Sequence, residues 1–152
     1  AEKLLALAFE SDDPITLYIG SPGGHVESGD TIFDLIRYIK PEVRIIGTGW
    51  VGSIATHIYL AADKDNRFAL PNTRFLIHQP SGGFGGDAAD IEIHAREILK
   101  TRERINGIIA ERTGQSIDRV GEDTQRDYWM SAEESVQYGL VGKIISDISE
   151  VG

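Results

Sequence analysis

Short β-rich runs alternate with helical patterns along the first half of the chain, and this alternation constrains the fold more than any other feature of the sequence. The run at 15–19 leads into the turn SPGG at 21–24, and apolar residues at helical spacing follow. The run at 43–47 and the apolar segment after Ser53 repeat this unit, and 74–77 is a third predicted strand. Strands and helices in this order need crossover connections, so the sequence predicts an α/β fold whose largely parallel sheet has flanking helices.

The segment 82–86 interrupts this pattern because four of its five residues are glycine, which predicts a flexible loop. Asp87 then caps a predicted helix that extends to Gly114 and has apolar residues at intervals of three and four. A small α/β domain has too little surface to cover the apolar stripe of so long a helix. We therefore expect part of this helix to pack on another subunit.

The C-terminal part of the chain predicts one more helix and one more strand. Ser131 and Glu134 have the spacing of a capping box, Gly139 ends the helix that follows, and 143–148 is a predicted strand. No repeat or linker divides the sequence, so we interpret 1–152 as a single domain. The chain begins with a helix-like stretch rather than with Met, and we expect a preceding segment to be missing from it.

The composition disfavours several kinds of partner. Fifteen Lys and Arg residues against 24 Asp and Glu residues give a net charge of −9, which disfavours nucleic acid and anionic membranes. The chain has no cysteine, which removes disulfides, thiolate nucleophiles and cysteine-based zinc sites and fits a reducing compartment such as the cytoplasm. The apolar run near the N-terminus is too short to span a membrane. We predict no metal site.

Ser53 has two interpretations from its local sequence. It follows the stretch GWVG at 49–52 and precedes an apolar run, where serine is a preferred helix N-cap. The nucleophile-elbow pattern, with glycine two positions before and after the serine, is absent because these positions hold Val51 and Ala55. The local sequence therefore leaves open whether Ser53 caps a helix or acts as a nucleophile, and its partners must decide.

A nucleophilic serine needs a general base, and the chain offers four histidines. His57 lies one helical turn after Ser53, which favours a packing neighbour over an aimed base. His25 follows the glycine turn, His94 lies among charged residues of the long helix, and neither has a clear role. His78 ends a predicted strand at the edge where a parallel sheet places its functional residues, as Ser53 does, so we select His78 as the candidate base.

The candidate third member is a carboxylate that orients the base. Asp123, Asp127 and Asp147 lie outside regular helix faces. Asp127 precedes the apolar cluster at 128–130, so we expect it to be partly buried and favour it over the other two. The resulting chain order of serine, histidine and aspartate differs from that of chymotrypsin, subtilisin and the α/β-hydrolases.

Several stretches, in order and without large gaps, resemble the ClpP family over nearly the whole chain. They are SPGG at 21–24, the serine after GWVG, PNTRFLIHQP at 71–80, DIEIHAREIL at 90–99, TGQS at 113–116 and DTQRDYWMSAEESVQYGLV at 123–141. The resemblance implies a crotonase-like α/β fold with a protruding helical handle. It also implies a serine endopeptidase, the proteolytic subunit of an ATP-dependent protease.

The same resemblance implies an assembly and partners. The family forms two stacked heptameric rings around a closed chamber, from one subunit or together with a paralogous one. An AAA+ unfoldase such as ClpX, ClpA or ClpC feeds polypeptide substrates into this chamber. That partner uses the ATP, so we expect no cofactor in this chain. The N-terminal segment that we expect to be missing from the sequence is the one that forms the family's axial pore.

The family's functional residues match positions of this sequence one by one. Its catalytic serine, histidine and aspartate match Ser53, His78 and Asp127, the three residues selected above on chemical grounds. Its oxyanion donors are backbone amides that match Gly24 and Ile54, and a side chain at position 24 would block such an amide. An extended substrate adds as a strand beside two segments. The matching substrate-strand residues are Gly23, His25, Val26, Gln79, Pro80, Ser81 and Gly82.

The sequence also departs from the family pattern. The nucleophile is usually followed by Met and Gly, whereas here Ile54 and Ala55 follow, and the β-branched Ile54 narrows the pocket. Gln125 stands beside Arg126 where the family has an acid that takes part in the ring-to-ring contact, and we expect both residues at that contact. Unusual polar residues follow SPGG, namely His25, Glu27 and Asp30.

Two alternative functions remain open at this stage. Some members of the family are weakly active or structural paralogues that work in mixed rings. Enzymes of the wider crotonase fold act on acyl thioesters and use the same kind of oxyanion hole for an enolate, with acidic catalysts instead of a serine. Labelling with a serine-directed reagent distinguishes a peptidase from both.

Overall fold

The computed structural model describes residues 1–152 as six helices, six strands and two short 3-10 turns. The helices are α1 (Glu2–Glu10), α2 (Val26–Tyr38), α3 (Ile54–Tyr59), α4 (Ala88–Thr113), α5 (Ile117–Asp123) and α6 (Ala132–Tyr138). The strands are β1 (Ile15–Ser21), β2 (Val43–Gly52), β3 (Arg67–Ala69), β4 (Arg74–Ile77), β5 (Tyr128–Met130) and β6 (Lys143–Ile144). No helix combines the length and the apolar character that a membrane crossing requires.

Strand β2 is the centre of the sheet because it pairs with three other strands. Its partner along one edge is β1, and along the other edge its first half pairs with β3 and its second half with β4. These pairings and that of β3 with β6 are parallel, whereas β5 is antiparallel to β4. The predictions of an α/β fold and a largely parallel sheet are confirmed.

The core fixes the start of α3, and with it the position of Ser53. Ile45, Val51 and Phe75 from the sheet are fully buried, together with Tyr59 and Leu60 at the end of α3. Burial of a large apolar side chain stabilises the folded state by about 1.5–3 kcal/mol. A short helix held by several such contacts has little freedom to shift, so the residue that precedes it is held as well.

Helix α4 forms the predicted protruding handle. It begins at the N-cap Asp87, whose side chain accepts a hydrogen bond from the Asp90 amide, and it ends at Gly114 with φ 79°, as predicted. Its buried residues all lie in its C-terminal half. The N-terminal half projects from the body of the subunit and exposes Ile91, Ile93 and Leu99.

The remaining elements differ in part from the prediction. The capping box of Ser131 and Glu134 at the start of α6 is confirmed. Strands β3 and β5 and helix α5 were not predicted. The strand predicted at 143–148 is wrong beyond Ile144, because only two residues pair with β3 and Ile148 begins an exposed 3-10 turn.

Candidate active site

Ser53 lies at a sharp turn between β2 and α3, and it has a backbone that only glycine adopts readily. Its φ of 57° and ψ of −126° make it the one non-glycine residue with positive φ. Its side chain makes no capping hydrogen bond to α3, so the helix-cap interpretation is wrong. Its amide donates to Leu76 O of β4 at 3.0 Å. Strained backbone of this kind concentrates at functional sites, where the surrounding structure enforces it.

The glycine turn at 21–24 lies directly against Ser53. A Cβ on Gly23, which has φ 108°, would lie 2.6 Å from Ser53 Cβ and 3.2 Å from Ile54 N. A Cβ on Gly24 would have no atom within 4 Å. The position that must be glycine for close packing is therefore Gly23. Gly24 has φ 155°, which also favours glycine, and the expectation that a side chain there would block its amide from an oxyanion stays a prediction.

His78 follows β4 and lines the same small cavity as Ser53. Its Nδ1 lies 2.7 Å from Gln79 O and donates to that carbonyl, which leaves Nε2 as the basic nitrogen. The imidazole makes no hydrogen bond to Ser53 or to Asp127. The structure thus brings the predicted nucleophile and base to one cavity, with the base in the tautomer that accepts a proton at Nε2.

Asp127 is exposed and makes no hydrogen bond or ion pair, so the prediction of partial burial is wrong. The apolar residues after it belong to β5, whose register with β4 pairs Tyr128 with Ile77. One further step along this antiparallel register sets position 127 opposite His78. A hydrogen bond from the Gln79 amide to Thr124 O at 2.8 Å holds the two segments together. The backbone therefore places the acid beside the base, although the two side chains are not engaged.

A groove of about 420 Å³ lies between the two segments expected to bind substrate. Five of the predicted residues line it, namely His25, Val26, Pro80, Ser81 and Gly82. Gln79 lies outside it, where its side chain donates to Gln125 O at 3.2 Å. Gly23 also lies outside it, packed against Ser53. Both Gln125 and Arg126 are exposed, and Arg126 has no ion-pair partner.

The other three histidines are held by different contacts. His25 contacts Ser28 and Glu27 on the exposed surface, and the ring of His94 stacks on Phe84 with centroids 4.3 Å apart. His57 is buried, as its predicted role of a packing neighbour requires, but it also has polar contacts that the sequence did not reveal. Its Nε2 lies 3.0 Å from Asp30 Oδ1.

Asp30 and His57 belong to a partly buried polar network that links three helices. Arg104 of α4 donates two hydrogen bonds of 2.8 Å to the carboxylate of Asp30 on α2. Burial alone would raise the pKa of Asp30, but the bonds and charge of Arg104, and then of His57, lower it below its usual value. Burial also lowers the pKa of His57, and the charge of Asp30 opposes this only in part. The network is therefore an ionised carboxylate between a guanidinium and a neutral imidazole.

The structure contains no group of three or more His, Asp or Glu side chains arranged to bind a metal ion. The chemistry available at this site is that of a serine hydroxyl, an imidazole and backbone amides. Ile54 is the first residue of α3, where amides have no intrahelical acceptor, so its N–H is available to a developing negative charge.

Comparison with known proteins adds independent information. A family model described as Clp protease matches residues 1–147. The ATP-dependent Clp protease proteolytic subunit 3 of Rhizobium meliloti is 58% identical over 149 residues, which cover 98% of this chain and 76% of that protein. Subunit 2 of Pseudomonas aeruginosa is 57% identical over 150 residues, which cover 99% and 75%. A solved structure of a mutant ClpP1 from Listeria monocytogenes matches with a TM-score of 0.93 at 53% identity and covers 99% of this chain and 84% of that one.

Proposed function

This chain belongs to the Clp protease family, and from that premise we propose that Ser53, His78 and Asp127 are the nucleophile, general base and orienting acid of its active site. The chain is a serine endopeptidase, the proteolytic subunit of an ATP-dependent protease. The observation that carries the residue assignment is the positive φ of Ser53 at a strand-to-helix turn beside a cavity that it shares with His78. No observation favours the acyl-thioester alternative.

The geometry supports the following reaction. His78 holds its Nδ1 proton against a carbonyl, so Nε2 takes the proton of Ser53 Oγ as the oxygen attacks the scissile carbonyl. The amides of Gly24 and Ile54 then stabilise the oxyanion of the tetrahedral intermediate. His78 returns the proton to the leaving amine. Water, activated by the same imidazole, releases the acyl group from Ser53.

The orienting acid needs one conformational step before it can act. In this structure Nδ1 of His78 donates its hydrogen bond to Gln79 O, and Asp127 is exposed. Because the β4–β5 register aligns positions 78 and 127, we propose that rotation of the two side chains joins them. We assign this step to ring assembly, since the neighbouring residues Gln125 and Arg126 are the expected ring-to-ring contact.

The substrate segment enters as an added strand in the groove between 24–26 and 80–82. Recognition of this kind depends mainly on backbone hydrogen bonds, so it tolerates many sequences. A Cβ on Gly24 would have no neighbour within 4 Å, which leaves room for a substrate backbone. A protease that degrades unfolded chains of any sequence needs this tolerance.

The family implies a ring assembly and a Clp ATPase partner. We propose the specific form of two stacked heptameric rings, in which the exposed apolar residues of α4 are covered at the contact between rings. The partner is an AAA+ unfoldase of the ClpX, ClpA or ClpC kind, which consumes the ATP. The expectations of a cytoplasmic location and of no cofactor in this chain remain predictions.

One observation favours a second candidate function. Because Asp127 is not engaged with His78, the chain could serve as a weakly active subunit whose triad is completed only by a paralogous ring. Labelling of the purified particle in the absence of any paralogue distinguishes the two, since a subunit that depends on a paralogue stays unlabelled.

The test of the proposal is labelling of the assembled particle with a serine-reactive phosphonate, followed by identification of the labelled peptide. We expect the label on Ser53 in the wild type. His78→Ala should reduce the labelling rate by several powers of ten. Lys64→Ala, which removes an exposed side chain that lines neither the cavity nor the substrate groove, is the control. Labelling that survives His78→Ala would refute the assignment of the base.

A further inference from the structure

The two backbone amides proposed to stabilise the oxyanion lie at the starts of two different helices. The amide of Gly24 lies two residues before α2, and that of Ile54 is the first of α3. The distance between the two amides therefore depends on how α2 packs on α3. An oxyanion hole is effective only when its donors are held in place before the reaction, so the contacts between these helices matter for catalysis.

Two of the contacts between α2 and α3 are packing contacts. Gly29 of α2 is buried, and a Cβ on it would overlap the side chain of Ile54. One turn further along α2, the ring of Phe33 stacks on that of His57, with centroids 4.4 Å apart and planes 12° apart. Apolar contacts of this kind hold the helices together, but they are not directional and do not by themselves fix one helix against sliding along the other.

Asp30 makes the directional contact between these helices. Its Oδ1 lies 3.0 Å from Nε2 of His57 on α3, which donates because an ionised carboxylate can only accept. The same carboxylate accepts two hydrogen bonds of 2.8 Å from Arg104 of α4, one at each oxygen. A bidentate pair fixes the orientation of the carboxylate as well as its position. One side chain of α2 is thus held by both α3 and α4.

Asp30 lies outside the surfaces that meet the substrate. Its side chain lines neither the cavity that contains Ser53 nor the substrate groove. The side chain of His57 is only 2% exposed and that of Asp30 is 25% exposed, so their hydrogen bond is partly shielded from water, and such shielding strengthens it. An effect of Asp30 on catalysis must therefore act through the helices that it joins.

We propose that Asp30 is a positioning residue that fixes the spacing of the two oxyanion amides by holding α2 against α3 and α4. The inference rests on the proposed roles of Ser53, Gly24 and Ile54. Asp30 is one of the polar residues by which this sequence departs from the family pattern. Without its charge, α3 is free to shift against the glycine turn, and the transition state then loses part of its stabilisation. The substrate strand, which binds mainly through its backbone, still binds.

The experiment compares Asp30→Asn with Asp34→Asn in the assembled protein. Asp34 lies one turn further along α2, is exposed and makes no hydrogen bond, so this control removes the same charge from the same helix and leaves the network intact. For a fluorogenic peptide, we expect kcat of Asp30→Asn to fall about tenfold while KM changes by less than about twofold. Asp34→Asn should keep the wild-type constants. An unchanged kcat in Asp30→Asn would overturn the proposal.

A second readout separates positioning from a general loss of structure. A peptide boronate forms a tetrahedral adduct with a nucleophilic serine and places an oxygen in the oxyanion hole, whereas the matching peptide with a C-terminal amide forms no adduct. Asp30→Asn should bind the boronate about tenfold more weakly and the amide peptide as the wild type does. Equal losses for the two ligands would mean that the whole site is distorted, which would overturn the proposal.

Arg104→Lys decides the matter if Asp30→Asn does not assemble. Lysine keeps the charge but lacks the planar fork that bonds both carboxylate oxygens, and the bond from His57 remains. We expect kcat and boronate affinity to fall together, by a smaller factor than in Asp30→Asn, with binding of the amide peptide retained. A wild-type kcat would overturn the proposal. Failure of the proposed function is distinguishable, because a phosphonate would then leave Ser53 of the wild type unlabelled.

Discussion

At the scale of single residues, the site depends on backbone geometry more than on side-chain identity. Ser53 is held at φ 57°, and Gly23 lies so close that a Cβ would meet Ser53 Cβ at 2.6 Å. Sequence reasoning selected Ser53 and His78 from their places at the ends of strands. It could not reveal the strain at Ser53 or the steric role of Gly23, because both arise from segments that meet only in the folded chain.

The first prediction concerns Gly23. Gly23→Ala should reduce peptidase activity at least a hundredfold, because the added methyl pushes the serine from its position, and a small displacement of a catalytic group has an effect on the order of 10²-fold. Gly83→Ala is the matched control, since a Cβ there meets nothing within 4 Å. Steady-state assays of the two variants make the comparison. Equal activities would show that the close approach does not position the nucleophile.

The second prediction concerns the pH dependence of stability. The folded state holds His57 neutral with a pKa below the ordinary 6.5, so the unfolded chain binds the extra proton first as the pH falls. The contribution of His57 to the free energy of unfolding is fully present above about pH 6.5. It is lost as the pH falls toward the pKa of the folded state, by at most about 1.4 kcal/mol per pH unit. The charged groups that face the ring are Asp30, Asp34 and Arg104.

Urea unfolding at a series of pH values tests this dependence. The loss of stability between about pH 6.5 and 5 should be smaller in His57→Phe than in the wild type, and His94→Ala should keep the wild-type slope. A His57→Phe variant with the wild-type slope would mean that another group is responsible.

At the scale of elements, a buried arginine joins the ends of three helices. Arg67 is 1% exposed, and its guanidinium donates to the carbonyls of Ala62, Arg112, Gly139 and Leu140 at 2.8–3.1 Å. These carbonyls lie at the C-terminal ends of α3, α4 and α6, where helix dipoles favour a positive charge. Burial lowers the pKa of Arg67 to about 10, so it remains charged at neutral pH.

The third prediction follows from this cluster of carbonyls. Arg67→Met should destabilise the fold by about 3–5 kcal/mol, because it leaves several buried acceptors without donors. Arg96→Met on the exposed handle, where the native side chain pairs with Glu92, should change stability by less than about 1 kcal/mol. Thermal or urea denaturation measures both. Similar stabilities of the two variants would contradict the structural role of Arg67.

The elements that sequence reasoning predicted well have strong local signals. Helix α4 has a side-chain cap at Asp87 and a left-handed glycine at its end, and α6 has a capping box. Strands β3 and β5 have three residues each, and their existence depends on partners far along the chain. The prediction that Asp127 is partly buried was wrong for the same reason. The apolar cluster after it forms the edge strand β5, and Asp127, which precedes this strand, stays exposed to solvent.

At the scale of the whole molecule, the single subunit leaves apolar surface and charged side chains without partners. The handle exposes apolar residues, Arg126 has no ion-pair partner, and Asp127, the proposed orienting acid, is exposed and makes no hydrogen bond to His78. The predicted contact of α4 with another subunit remains a prediction that these features support. Assembly would cover the handle and order the segment that contains Asp127.

The fourth prediction links assembly to activity. Gln125→Glu restores an acid beside Arg126 and should strengthen the contact between rings by about 1 kcal/mol or less per subunit, multiplied around the ring. Double-ring assembly and peptidase activity should rise together, most clearly at low salt. Gln137→Glu, at an exposed position whose side chain makes no hydrogen bond, controls for the added charge. Sedimentation measures double-ring assembly, and a fluorogenic peptide assay measures activity, across a salt series. Activity that stays constant while the rings separate would contradict the proposed coupling.

The measurement that tests the central claim most directly is the rate at which a phosphonate labels Ser53, recorded on samples whose ring assembly is measured by sedimentation. The fifth prediction is that the rate rises with the fraction of double rings in the wild type. In Asp127→Asn it should stay low in every sample, because the neutral amide lacks the negative charge that stabilises the imidazolium of His78. Assembled Asp127→Asn protein that labels as fast as assembled wild type would contradict the account.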